Sequence, residues 1–222
     1  YEMQRSLVGS EMCIRDRAHS DEAEKYSAAA FATKHENAIY FSKRVTRAVP
    51  DGGPIEAHTD LVKKLDYECE LAVVLGRDAR DVPAGQTRDY IFGYTILNDV
   101  SARDVQTAHK QWYFGKSLDG FTPIGPCIVT ADAFADYPPR LGIRSFVNGE
   151  KRQDSNTALQ IFDIDHVIAE LSQGMTLKAG TIIATGTPAG VGMGMDPPQF
   201  LKPGDVVRCE IDGIGTLTNP VK

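Results

Sequence analysis

From Ile39 onward, short apolar stretches alternate with clusters of Gly, Pro, Asn and Asp, the rhythm of a strand-rich fold. Residues 65–76, LDYECELAVVLG, are dense in β-branched and aromatic side chains and stop at Gly76; after a DVPAGQTRD loop, residues 91–99, IFGYTILND, repeat the pattern. Within the first of these, LAVVL is apolar at every position, the mark of a strand covered on both faces. AIYF, PIGPCIVTADAF, RSFVNGEKRQDS, TIIATG and DVVRCEIDG read as further short strands, and the Pro-Asp-Gly-Gly of AVPDGGP as a turn between extended segments. LKAGTIIATG and LKPGDVVRCE share a lysine, a Gly turn and a strand, which predicts two hairpin-like approaches to one sheet system. Helical patterning is confined to 101–112, to 164–174 with Gly174 as its stop, and to the alanine-rich 18–33 with Ser20 or Asp21 as cap. The balance predicts an α+β, strand-rich class: a mixed β-sandwich or β-roll with a few peripheral helices.

Residues 1–16 stand apart. YEMQRSLVGSEMCIRD carries neither a helical stripe nor a strand alternation, and SLVGSEMCIRD resembles translated adapter or vector sequence. The expectation is a non-native or disordered segment in front of a single domain spanning 17–222. At 222 residues, 42% hydrophobic and 24% charged, the chain can bury a core without disulfide or metal staples. Its formal charge of -6 lacks the basic footprint of a nucleic-acid binder. No apolar run reaches the ~18 residues of a membrane span. Cys13, Cys69, Cys127 and Cys209 are scattered without a C-x-x-C pair, which predicts reduced thiols and a cytoplasmic protein.

Two glycine motifs fail on inspection. Gly115-Lys116-Ser117 has Lys110 where a phosphate loop needs glycine, and GVGMGM at 190–195 has Met195 in the third glycine position, followed by DPPQF. The carboxylates carry more. Glu68 and Glu70, two apart in a strand, leave the same face. The plain alternative is the wet face of an edge strand, but the apolar LAVVL that follows argues for burial, and a buried pair demands a cation or a proton. Asp99 ends the next strand, where it either caps a helix or turns toward the glutamates. Glu68, Glu70 and Asp99 together make an all-oxygen anionic site suited to Mg²⁺, Mn²⁺ or Ca²⁺. Arg103 and Gln106 share a helix face and could clamp an anionic substrate, unless Arg103 is spent on an ordinary pair with Asp99. Lys116 sits in a loop, FGKSLDGF. His19 and Glu22, at i and i+3, either share an exposed polar face or form a proton-abstracting pair.

These blocks resemble the fumarylacetoacetate hydrolase family from about Ala18 to Val221. LDYECELAVVLG is similar to its paired-glutamate metal strand, GYTILNDVSARDVQ to its Asp-bearing segment, GKSLDGFTPIGP to its lysine loop and ATGTPAGVG to its C-terminal pocket loop. The resemblance implies a fold of the family's C-terminal-domain type and a Mg²⁺ or Mn²⁺ ion on Glu68, Glu70 and Asp99, with Ca²⁺ as an occupant in a crystal. It implies Arg103, Gln106, Lys116 and Thr187 around the substrate, with Lys116 also catalytic. AHSDEA resembles the lid segment, which makes 17–35 a lid helix bearing His19 and Glu22 as the water-activating dyad; IRDR stands where relatives carry Gly-x-Asn-Tyr. The implied activity is C–C bond cleavage in small 2-oxo acids through a metal-stabilised enolate: acylpyruvate hydrolysis or oxaloacetate decarboxylation. Isomerisation or hydration of unsaturated oxo-diacids, or a non-catalytic cation-binding β protein, are the alternatives. The implied partners are a small 2-oxo acid and a second copy of the chain in a homodimer, with no nucleic acid and no membrane.

Overall fold

The computed structural model describes residues 7–11 and 37–222. A six-stranded sheet contains β1 (Leu7–Glu11), β2 (Ile39–Lys43), β4 (Cys69–Leu75), β5 (Ile91–Asn98), β7 (Ile124–Thr130) and β10 (Ile182–Ala184), in the order β2-β1-β10-β4-β5-β7. A four-stranded sheet contains β8 (Gly142–Val147), β9 (Glu150–Asn156), β11 (Val206–Ile211) and β12 (Gly215–Pro220), in the order β12-β11-β8-β9. A small ribbon pairs β3 (Leu65–Asp66) with β6 (Ser101–Ala102). Helices α1 (Arg103–Ala108), α2 (Tyr113–Lys116) and α3 (Ile164–Leu171) lie outside the sheets. The strand-rich sandwich-and-roll class read from the sequence is what the chain adopts. Among the described residues no helix is long and apolar enough to cross a membrane.

All seven residues of β4 are buried, as its apolar run predicts, and alternation divides them between two environments. Cys69, Leu71, Val73 and Leu75 join the core between the sheets, with Ile96, Ile143, Val207, Cys209 and Leu217. Ala72 faces the other way and packs with Leu97 and Ala184. On that second face the six-stranded sheet curls strongly. Just beyond β2, the Val49 N–H donates to Thr122 O at 2.9 Å, and the Ile124 N–H of β7 donates to Val49 O at 3.0 Å, so the two edges of the sheet nearly meet. The curl delivers side chains from β2 to the end of β5, four places away in the sheet order.

Several boundaries differ from the sequence reading, each for a local reason. The pattern at 65–76 breaks into β3 and β4, because the Glu68 N–H is taken by Asn98 Oδ1 at 2.9 Å and Asp66 accepts the Tyr67 N–H at 2.9 Å. The helix expected over 101–112 begins only at Arg103, since Ser101 and Ala102 pair with β3; a second short helix follows at Tyr113. The two lysine-glycine segments make the same turn, with Thr181 N–H to Lys178 O at 3.0 Å and Asp205 N–H to Lys202 O at 3.1 Å, over Gly180 and Gly204 at positive φ. They feed β10 in one sheet and β11 in the other, not one sheet system. Leu7–Glu11, which shows no strand alternation of its own, pairs between β10 and β2. The lid helix expected over 17–35 lies outside the described residues.

Candidate metal centre and substrate pocket

At the end of the β4/β5 ladder, on the face opposite the inter-sheet core, three acids converge. Glu70 is in β4, Glu68 immediately precedes that strand, and Asp99 immediately follows β5, registered by its N–H donating to Glu68 O at 2.8 Å. All three are buried, and one carboxylate oxygen from each lies within 4.8 Å of the others. Unit charges at that separation repel by about 3.5 kcal/mol at an effective dielectric near 20, so the cluster needs compensation. Glu70 shows the strain: burial first, then the charges of Asp99 and Glu68, push its carboxyl well above the usual range, against Lys116 and the Gly186 N–H, which donates to Oε2 at 2.8 Å. Asp99 is no helix cap. Ala102 holds that position without a side-chain bond, because the chain pairs with β3 before the helix opens.

Three cations face these acids. Lys116 Nζ donates to Glu68 Oε2 and to Asp99 Oδ2, each at 2.8 Å, and the lysine is fully buried. It gets there because Gly115 has no Cβ: one would fall 2.6 Å from the Gln106 N, so the glycine lets α2 lie against α1. Lys43, at the end of β2, donates to Asp99 Oδ1 at 2.6 Å. Burial pulls its ammonium below the usual lysine range, against the pull of Asp99. Burial alone would raise the Asp99 carboxyl, but Lys116 and Lys43 hold it below the usual range. Arg103 is not paired with Asp99. Its Nη1 meets Glu68 Oε1 at 2.6 Å and Gln106 Oε1 at 3.2 Å, and its Nε donates to Asp66 Oδ2 at 2.9 Å. Asp66 in turn accepts the N–H groups of Gly192 at 2.8 Å and Met193 at 2.9 Å, tying the arginine to the 190–195 loop.

Thr187 stands beside the same strand. Its hydroxyl donates to Cys69 O at 2.9 Å and accepts from Gln153 Nε2 at 2.8 Å, so its one proton is spent on the main chain between the two glutamates.

Four buried acids, Asp66, Glu68, Glu70 and Asp99, thus face three buried cations, Lys43, Arg103 and Lys116, among the described residues. The remaining negative charge, on an all-oxygen donor set, fits a hard divalent ion.

Residues 10–222 match the family described as fumarylacetoacetate (FAA) hydrolase C-terminal. The chain belongs to that family. It is 45% identical over 186 residues to the oxaloacetate tautomerase YisK of Bacillus subtilis, covering 84% of this chain and 62% of the relative. The chain therefore spans about three fifths of the length of the curated relatives it matches. Among solved structures, a fumarylacetoacetate hydrolase from psychrophilic Exiguobacterium antarcticum is 44% identical with a TM-score of 0.86, covering 98% of this chain and 75% of that one. A 2-hydroxyhepta-2,4-diene-1,7-dioate isomerase from Mycobacterium marinum is 37% identical with a TM-score of 0.79, covering 99% and 75%.

In this member of the fumarylacetoacetate hydrolase family, seven residues singled out in the sequence come together: Glu68, Asp99, Arg103, Gln106 and Lys116 in one hydrogen-bonded cluster, Glu70 within 4.8 Å of its acids, and Thr187 beside β4. His19 and Glu22 lie outside the described residues. Three further residues went unread. Asp66 continues the alternation of Glu68 and Glu70 backward, and that D-x-E-x-E spacing is a signal that could have found it. Lys43 ends the Ile39, Phe41, Lys43 face of β2, a charge closing an apolar face. Gln153 sits in a polar hairpin with no local signal at all.

Proposed function

We propose that this chain carries a divalent-cation-dependent active site that makes and discharges the enolate of a small 2-oxo acid. The substrates proposed are oxaloacetate, losing carbon dioxide, and acylpyruvates, cleaved by water. The observation that carries the reading is the charge balance of the buried cluster, four carboxylates against three cations around a 4.8 Å triad. Glu68, Glu70 and Asp99 would hold Mg²⁺ or Mn²⁺, which when bound supplies Lewis-acid polarisation of the carboxylate and keto oxygens of a 2-oxo acid. The chain's own residues do the rest. Arg103, fixed by Asp66 on Nε and by Gln106 on Nη1, presents a preorganised guanidinium to the substrate carboxylate. Lys116, held in place by two carboxylates, offsets the negative charge that develops on the keto oxygen. Lys43 keeps Asp99 ionised by sitting on its Oδ1. For an acylpyruvate, His19 oriented by Glu22 is the proposed base that takes a proton from water as it attacks the distal carbonyl.

A second reading, enolisation without cleavage, is supported by the relatives whose names describe oxaloacetate tautomerisation and dienedioate isomerisation. Cleavage and enolisation share the enolate and differ in what happens at the distal group. The test is a panel of oxaloacetate, an acylpyruvate and 2-hydroxyhepta-2,4-diene-1,7-dioate, followed for carbon dioxide release, acyl acid release and keto–enol exchange. Each assay is run after EDTA treatment and again with Mg²⁺ restored. Turnover that EDTA abolishes and Mg²⁺ returns is the expected result. Inertness of the full chain toward all three substrates, or rates indifferent to EDTA, would refute the proposal.

A further inference from the structure

The backbone between the two glutamates is held in an unusual way. Strand β10 pairs with β4 as far as Ala184 opposite Ala72, and the Thr185 N–H still reaches Leu71 O at 3.1 Å. There the chain leaves the ladder: Gly186 adopts a φ of +90° and its N–H turns to Glu70 Oε2. Both main-chain groups of Cys69 on that side lose their strand partner, and buried peptide groups must find another. Side chains take over. The Cys69 N–H donates to Gln153 Oε1 at 3.1 Å, and Cys69 O accepts from the Thr187 hydroxyl at 2.9 Å. Gln153 Nε2 donates to Thr187 Oγ1 at 2.8 Å and to Pro188 O at 2.6 Å, closing a ring of three hydrogen bonds around the main chain of Cys69, from the N–H of one peptide group to the C=O of the next. The orientation of the Gln153 amide is fixed by its partners, since a peptide N–H demands an oxygen and a peptide carbonyl demands an N–H.

Gln153 reaches this point from the other sheet. It lies across from Ser145, which lies across from Cys209, so a transverse row of buried polar or small side chains faces the back of Cys69. Gln153 is completely buried, and Ser145 Oγ is buried with no hydrogen-bond partner. An apolar row would make a better core, because an unsatisfied buried hydroxyl costs about 1–3 kcal/mol.

We propose that Gln153 is a positioning residue: with Thr187 it clamps the two peptide groups that flank the Cys69 Cα and so fixes the separation and aim of Glu68 and Glu70 toward a divalent ion. This deepens the metal-dependent reading above and rests on it. Partners that orient ligands from behind are commonly worth ~10- to 100-fold in metal affinity, and that is the effect expected here.

The experiment is Mn²⁺ titration of the full chain by calorimetry, with thermal unfolding in EDTA as the check on folding. Gln153→Met keeps the volume and removes all three of its side-chain hydrogen bonds; Thr187→Val removes the hydroxyl from the same ring. Each is expected to weaken Mn²⁺ binding by ~10- to 100-fold. The double variant is expected to be within about threefold of the weaker single one, because the three bonds act as one unit. A folded Gln153→Met protein that binds Mn²⁺ within about threefold of wild type, or additive losses in the double variant, overturns the clamp. Should Gln153→Met fail to fold, Thr187→Val decides, and unchanged affinity there overturns the clamp equally. Failure of the wild-type chain to bind Mn²⁺ overturns the clamp together with the metal reading, and is distinguished by appearing before any substitution is made.

Discussion

Replacing Lys43 by Met removes one of the three cations without changing volume much. Its Nζ sits 2.6 Å from Asp99 Oδ1, with both side chains at most 1% exposed. The gross attraction at that distance is about 6 kcal/mol at an effective dielectric near 20, offset in part by the cost of desolvating the ammonium. Removing one partner of a buried pair costs about 3–5 kcal/mol, and here the lower end applies because Lys116 remains on Oδ2. In EDTA, Lys43→Met is expected to lose about 3 kcal/mol, or roughly 6–12 °C in Tm for a domain of this size. Saturating Mg²⁺ neutralises Asp99 from the other side, so the loss there is expected to shrink to about 1 kcal/mol. By linkage the difference of about 2 kcal/mol appears as metal binding ~30-fold tighter than wild type. Urea unfolding in EDTA and in Mg²⁺, with a Mn²⁺ titration alongside, measures all three quantities. An equal loss in both conditions, or unchanged metal affinity, refutes the claim that Lys43 and the ion compensate the same carboxylate.

Glu70→Gln is expected to weaken Mn²⁺ binding by more than ~10-fold while leaving the metal-free fold no less stable, because burial and its acidic neighbours already push the Glu70 carboxyl up. That shift also has a pH signature: above the ~4.3 of an unfolded glutamate the native chain holds a proton that the unfolded chain has lost, so metal-free stability falls as pH rises through this window. Glu70→Gln should flatten that slope in EDTA, and an unaltered slope assigns it elsewhere. Asp66→Asn loosens Arg103; since charge-assisted bonds are worth about 1.5–3 kcal/mol, kcat/KM for the 2-oxo acid should fall at least ~10-fold, mostly through KM, and a loss confined to kcat would contradict a binding role. Gly190→Ala should cost about 1–3 kcal/mol in thermal unfolding, because φ is +102° and a Cβ would collide with Arg152 O; a neutral result would mean that the loop can relax.

The legible part of this fold is the part governed by local pattern. The apolar LAVVL correctly announced a strand buried on both faces, and the acids at its start were suspect because burial there needs compensation. RSFVNGEKRQDS, read as one short strand, is instead a hairpin, in which Asn148-Gly149 turns β8 into β9 with both residues at positive φ, as a two-residue loop requires. What could not be read is what the curl of one sheet and the packing of the other against it bring together. Lys43 meets Asp99 across 56 positions of sequence, and Gln153 meets Cys69 across 84. Nothing in a window of ten residues encodes either contact. The misread helix at 101–112 has the same origin: Ser101 and Ala102 have a distant partner in β3, and pairing with it outweighs their modest helical preference.

The same long-range geometry explains why Glu70 carries the raised pKa. Both oxygens of Asp99 are taken by lysines, and both oxygens of Glu68 by Arg103 and Lys116, whereas the described partner of Glu70 is the Gly186 amide, a dipole without net charge. Glu70 is therefore the acid on which the cluster's surplus negative charge is expressed, and in the metal-free chain a proton is the cheapest way to remove it. A divalent ion that displaces this proton changes the balance of the cluster from neutral to one positive. The site then attracts an anion that it had no electrostatic reason to attract before, and Arg103 is already aimed by Asp66 to receive a carboxylate. Under the proposed function, this change of charge predicts that the metal binds first and the 2-oxo acid second, because the ion makes the cluster positive before the anion arrives.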